Sequence, residues 1–196
     1  MRKLLIFILA VLCIIGITFK VVTPISPETS LDYEFKLLKS EYLDDICDKF
    51  EIDIKSEVKN IFEEYNVTIT DEEVDILLEK LFSFDYEILD SKIYQEYANV
   101  SVKITTVDLL SLTKEQIKAN IGSYIVDILN GKTFAYEEVL KEVISKLEDA
   151  PKEYTETVNV RVNKIKDVFY LVDLEKNNDL FNAISGNVLY ELDMLE

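Results

Sequence analysis

The chain has 196 residues, with 21 basic against 38 acidic side chains and a formal net charge of −17 at pH 7. So acidic a balance argues against a nucleic-acid partner, because phosphates are held by clusters of Lys and Arg. There is no histidine, which removes the usual neutral-pH general base and the commonest transition-metal ligand. The two cysteines, Cys13 and Cys47, do not make a disulfide framework.

Arg2 and Lys3 precede Leu4 to Phe19, a run without a charge, followed by Lys20, Val21 and Val22. With Lys20 snorkelling, residues 1–22 reach the ~20 residues a spanning helix needs. The basic residues on the N-terminal side keep that end cytoplasmic and send the rest across. An uncleaved signal anchor is the favoured reading. Cleavage lacks an A-x-A-like site after the apolar run. Lipidation at Cys13 is the third option, and Leu12 is unsuitable before a lipidated cysteine.

Residues 23–30 read as a stalk kept extended by Pro24 and Pro27. Residues 31–196 form the extracytoplasmic domain. Setting aside Arg2, Lys3 and Lys20 leaves 18 basic residues against the same 38 acids, so that domain carries −20.

Phe35, Leu38, Tyr42, Ile46 and Phe50 recur every three or four residues and predict a helix over Leu31 to Phe50. Val58, Ile61 and Phe62 predict a second helix over Ser56 to Tyr65. Thr70 with Glu73 makes a capping box that opens a third helix to Phe82.

Tyr86 to Ile93 reads as a strand. Tyr86 and Ile88 share a parity that Ile93 breaks, which predicts a bulge near Asp90. Tyr97 to Leu109 reads as the second strand, with Ala98, Val100, Val102 and Ile104 on one face. Thr113 and Gln116 suggest another capping box. The helix it opens would bury Ile117, Ile121, Tyr124, Ile125, Ile128 and Leu129 and stop at Gly131. Tyr136 to Glu148 follows as a helix.

Val158, Val160 and Val162 alternate with polar residues in a third strand. Lys166–Asp167 reads as a turn into a fourth over Val168 to Leu174. Asp179 to Leu195 reads as a weak helix or tail broken at Gly186. The fold class is α+β: a curved antiparallel sheet of about four strands, one face wet and the other covered by helices.

No phosphate loop or G-x-S-x-G elbow is present. Asp173–Glu175–Asn177–Asp179 superficially resembles a calcium loop. It has Asn178 where that loop needs Gly and Ile184 where it closes with Glu, so it reads as a solvated turn and no metal or cofactor is expected. Eleven tyrosines suggest a ligand-facing wall of Tyr86, Tyr94, Tyr97, Tyr124 and Tyr154, each with an apolar body and a polar tip.

Phe84 to Leu89 followed by Ala98 to Asp108 resembles the first hairpin of small extracytoplasmic bacterial lipoproteins of the nuclear transport factor 2-like, cystatin-like superfamily. Val158 to Asp173 and Asp179 to Gly186 are similar to their closing hairpin and tail. Phe169 stands where these proteins often carry Trp, and the lipobox around Cys13 is defective. The resemblance implies a cone of helices on a curved sheet and no particular activity. The expectation is a membrane-anchored, non-catalytic module that binds an envelope protein or small ligand. The alternatives are an enzyme of that superfamily using carboxylates and tyrosines, and a structural accessory of a membrane assembly.

Overall fold

Capping chemistry decides where most helices begin. The computed structural model of the chain describes residues 26–39, 47, 53–64, 67–130, 136–165, 168–170 and 176–187. Helix α1 spans Pro27–Leu38, with the Ser26 side chain accepting from the Thr29 N–H at 3.2 Å. The domain therefore starts inside the expected stalk. Pro27 sits in the first turn, where its missing N–H costs nothing and its fixed φ suits the helix. Ser30 and Leu31 are already buried. The single helix expected over Leu31 to Phe50 ends at Leu38, because Lys39 is extended. Of the remainder, Cys47 alone is described, helical and buried in the core.

Helix α2, Ile54–Glu63, is capped by Asp53, which accepts from the Ser56 N–H at 3.0 Å. Helix α3, Asp71–Phe82, opens on the predicted capping box. Glu73 N–H donates to the Thr70 hydroxyl at 3.2 Å and Thr70 N–H to the Glu73 carboxylate at 2.8 Å.

Strand β1 is Asp85–Ile93 and β2 is Tyr97–Thr106. They pair antiparallel, and the register slips between Ile88 and Asp90. That bulge resolves the broken parity. Tyr86 pairs with Ile104, Ile88 with Val102 and Ile93 with Ala98, so all three share the face of the buried β2 residues.

Helix α4, Leu109–Leu129, begins four residues before the expected Thr113 cap. Asp108 caps it: its carboxylate accepts from the Ser111 N–H and hydroxyl, both at 2.8 Å. Thr113 instead donates back to the Leu109 carbonyl at 2.8 Å, and Gln116 is buried. Asp out-competes Thr because a carboxylate is the stronger acceptor at a positive helix end. Gly131 lies outside the described residues.

Helix α5, Tyr136–Leu147, matches expectation. Strand β3, Tyr154–Ile165, lies against β2, and the short β4, Val168–Tyr170, completes an antiparallel sheet in the order β1-β2-β3-β4. The turn at Lys166–Asp167 and the run from 171 to 174 lie outside the described residues.

Helix α6, Asn178–Ile184, is no loose tail: Leu180, Phe181, Ala183 and Ile184 are buried. α1 lies along β1, β2 and β4, while α6 lies on β3 and β2. Together they cover one face of the sheet. α2 rests on α3, α3 on α5, and α5 on α4.

Two contacts fix α6. Gly186 has φ +63, and a Cβ there would stand 2.1 Å from the Val107 carbonyl oxygen, so only glycine fits. Asn177 is buried. Its amide oxygen accepts from the Arg161 N–H at 2.7 Å and its amide nitrogen donates to the Arg161 carbonyl at 2.9 Å. The side chain thus pairs with β3 as a neighbouring strand would. Asn177→Ala strands both backbone groups of Arg161, and we expect a loss of about 2 kcal/mol. A lower urea midpoint at unchanged slope will show it; an unchanged midpoint would mean water replaces the amide.

Candidate functional site

The helix-covered face of the sheet is filled. Ala98, Val100, Val102 and Ile104 of β2 and Val160 and Val162 of β3 are fully buried. Phe35 of α1 meets Phe84 and Tyr86 edge-on, with ring centroids 5.7 and 4.9 Å apart. The opposite face carries alternating polar side chains, among them Asn99, Ser101, Lys103, Thr157 and Asn159.

The five tyrosines do not form one wall. Tyr86 lies under α1 and donates to the Asp32 carboxylate at 2.8 Å. Tyr154 shares the core face at the far end of β3 and donates to Glu156. Tyr124 is buried between α4 and α5 beside Val139 and Val143. Burial, then Glu142 and Glu138, raises its phenol above the ordinary value. Tyr94 and Tyr97 alone meet, at the β1–β2 turn, with centroids 4.5 Å apart and rings 19° from parallel. Alternation assigns faces within a strand, but it cannot say which elements converge in space, so the wall was over-read from composition.

The Tyr94–Tyr97 pair has cations on both sides. Lys92 lies 5.4 Å from the Tyr94 centroid and Arg161 3.8 Å from that of Tyr97. Arg161 reaches the stack because β3 runs beside β2 with Asn163 opposite Tyr97. Sequence reasoning missed this partner, which is 64 residues away along the chain.

The largest departure is on α4. Its predicted apolar face is split. Tyr124 points inward, while Ile117, Ile121, Ile125, Val126 and Leu129 are exposed, Ile121 by 52% and Leu129 by 80%. The Ile128 side chain lies outside the described residues. Ile117, Ile121, Ile125 and Leu129 are four apart and form one i±4 ridge. Beside it runs a second ridge, Lys114, Lys118, Gly122 and Val126, in which Gly122 has nothing within 4 Å of its would-be Cβ. The signal was readable, since a helix apolar on both sides has a second surface to satisfy.

The calcium-like run does not assemble. Asn177 is committed to Arg161, Asp179 stands in the first turn of α6, and Asp173 and Glu175 lie outside the described residues. Among the described residues no group of three His, Cys, Asp or Glu is placed to hold a metal ion. Cys13 and Leu4–Phe19 also lie outside them. Among those described, no helix is long and apolar enough to cross a membrane.

No family model and no curated protein matches the chain. Among solved structures it is similar to a crystal structure from Bacillus subtilis, provisionally described as a lipoprotein. That likeness has 18% identity and a TM-score of 0.41, and covers 69% of this chain and 46% of that one. The chain thus spans less than half of that protein's length, and a likeness at this level fixes neither fold nor function.

Tyr86 supplies a test of the packing that fills the sheet. Burial, then the Asp32 carboxylate that accepts its proton, pushes the phenol well above its ordinary value. The folded value exceeds the unfolded one, so the contribution is intact below pH ~10 and is lost as pH climbs above it. Tyr86→Phe should cost about 1–2 kcal/mol at pH 7. The gap from the parent should narrow between neutral pH and pH ~10.5 in urea unfolding. A gap that stays constant would show that Asp32 does not hold the phenol.

Proposed function

We propose that the chain is a membrane-anchored, extracytoplasmic protein-interaction module whose contact surface is the outer face of α4. The observation that carries this reading is the exposed row Ile117, Ile121, Ile125 and Leu129 on a helix held along one side only, by α5. Contiguous exposed apolar surface on a folded domain marks a contact site. The anchor is residues 1–22, supported by the basic start and the apolar run from Leu4 to Phe19. Bulk on the outer side of the membrane follows from the same charge asymmetry.

The partner is an envelope protein that presents an apolar helix bordered by acids. A ridge at four-residue spacing fits the groove of another helix, and Gly122 lets a backbone approach closely. Lys114 and Lys118 border the ridge on an otherwise acidic chain, so charge complementarity selects an acidic rim opposite them. Assignment of the domain to the nuclear transport factor 2-like, cystatin-like superfamily belongs to the same proposal. It is supported by the order of helices, hairpin, helices and hairpin. The enzymatic alternative placed its acids and tyrosines in an open concavity, and the packing of α1 and α6 against the sheet weighs against that location.

A photo-crosslinking amino acid at Ile125 of the full chain, in cells, tests the surface. The expected result is one discrete adduct with a different protein. Ile121→Asp should abolish it and change folding stability by less than ~0.5 kcal/mol, since the site is exposed. The same probe at Asn159 should give none. An adduct of twice the chain's mass would reassign the surface to self-association, and no adduct at Ile125 would overturn the proposal.

A further inference from the structure

The β1–β2 turn and the entry of the chain into the domain lie at the same pole. Glu28, in the first turn of α1, accepts from the Ser91 hydroxyl near the end of β1. At the other end of α1, Lys39 reaches Asp85 at 3.6 Å. α1 therefore runs back along β1, with its N-terminus beside the turn. Lys20 to Ser26 is seven residues, which span at most ~25 Å. A bilayer holding Leu4 to Phe19 is thus within that distance of the turn.

What the turn presents suits such a surface. Ile93 faces the helix-covered side but overhangs the start of α1 and is 59% exposed. Tyr94, also exposed, stacks on Tyr97 between Lys92 and Arg161. Tyrosines with an apolar neighbour and flanking cations are the residue set of a membrane–water interface. The pole is also balanced in charge, with Lys92, Arg161 and Lys164 set against Glu28, Asp90 and Glu96. The rest of this acidic chain would be repelled by anionic headgroups; this end would not.

We infer that the β1–β2 turn, through Ile93 and Tyr94, rests in the interfacial layer of the bilayer that holds the anchor. The inference rests on the membrane-anchored reading. It makes the anchor and the turn two points of attachment, which fix the orientation of the domain where a single tether would let it swing.

The chain has no tryptophan, so one introduced indole reports its own surroundings. The full chain carrying Ile93→Trp would be reconstituted in phosphatidylcholine vesicles with brominated acyl chains. Tyr94→Trp serves as a second reporter. Glu153→Trp is the control, next to Tyr154 at the opposite end of β3 and exposed. The expected result is blue-shifted emission at positions 93 and 94, quenched several-fold more than at 153. A blue shift without lipid quenching would assign the cover of Ile93 to protein, either residues 20–25 of this chain or a partner, and would overturn the inference. Equal quenching at all three positions would also overturn it. Alkaline carbonate extraction separates the two readings. A chain released from the vesicles defeats the anchor and the docking together, while a retained chain with an unquenched turn defeats the docking alone.

Discussion

The structure depends on one strand having neighbours on both sides and helices on one face. Ala98, Val100, Val102 and Ile104 of β2 are fully excluded from water, with β1 on one side and β3 on the other. An antiparallel sheet can leave one face wet, but the other must be covered. Two helices from opposite ends of the described chain supply that cover, α1 before the first strand and α6 after the last. Each is held by more than apolar contact. α1 is tied to β1 by Tyr86–Asp32 and Ser91–Glu28, and α6 is tied to β3 by the amide of Asn177.

What could be read in the sequence was what short-range chemistry decides. Thr70 and Glu73 satisfy each other's backbone within one turn, and that cap needs nothing else from the fold. The bulge near Asp90 was visible as a parity break, because a slipped register is the only way to return Ile93 to the side of Ile88. The alternation of β2 and β3 survived for the same reason. Pro27 was misread because proline is as compatible with a first helical turn as with an extended stalk; the burial of Leu31 decides between them. At the start of α4, two capping residues competed within six positions, and Asp108 won over Thr113.

The candidate surfaces were less legible, because they are made by elements distant in sequence. No pattern within β1 and β2 says that Arg161 will cover Tyr97. That contact exists because β3 crosses the gap left by α4 and α5 and pairs with β2. Five tyrosines looked like one wall because composition carries no address. Folding sent Tyr86 under α1, Tyr124 between α4 and α5, and Tyr94 to a turn. On α4, the assumption that apolar means inward failed. Only one side of the helix meets α5, and Ile121 and Ile125 are on the other.

The direction in which α4 leaves the sheet is set at its first residues by the last element of the fold. Gly186 follows α6, and its carbonyl accepts from the Leu110 N–H at 3.1 Å, the first turn of α4. Its missing side chain is what lets the turn press against Val107 and Leu109. Asn187, at φ 64, continues the turn, and its amide oxygen accepts from the buried Asn182 at 2.9 Å. The corner between β2 and α4 is thus closed by a segment more than 70 residues later. A helix pinned at its N-terminus and packed on one side by α5 holds its free side in a fixed orientation. Its isoleucine ridge is then a rigid surface, and ordering it on contact costs little conformational entropy. The tight closure at Gly186 and the exposed ridge on α4 are therefore two parts of one arrangement: the C-terminal turn positions the surface, and the polar sheet face and acidic exterior leave that surface as the broadest apolar contact among the described residues.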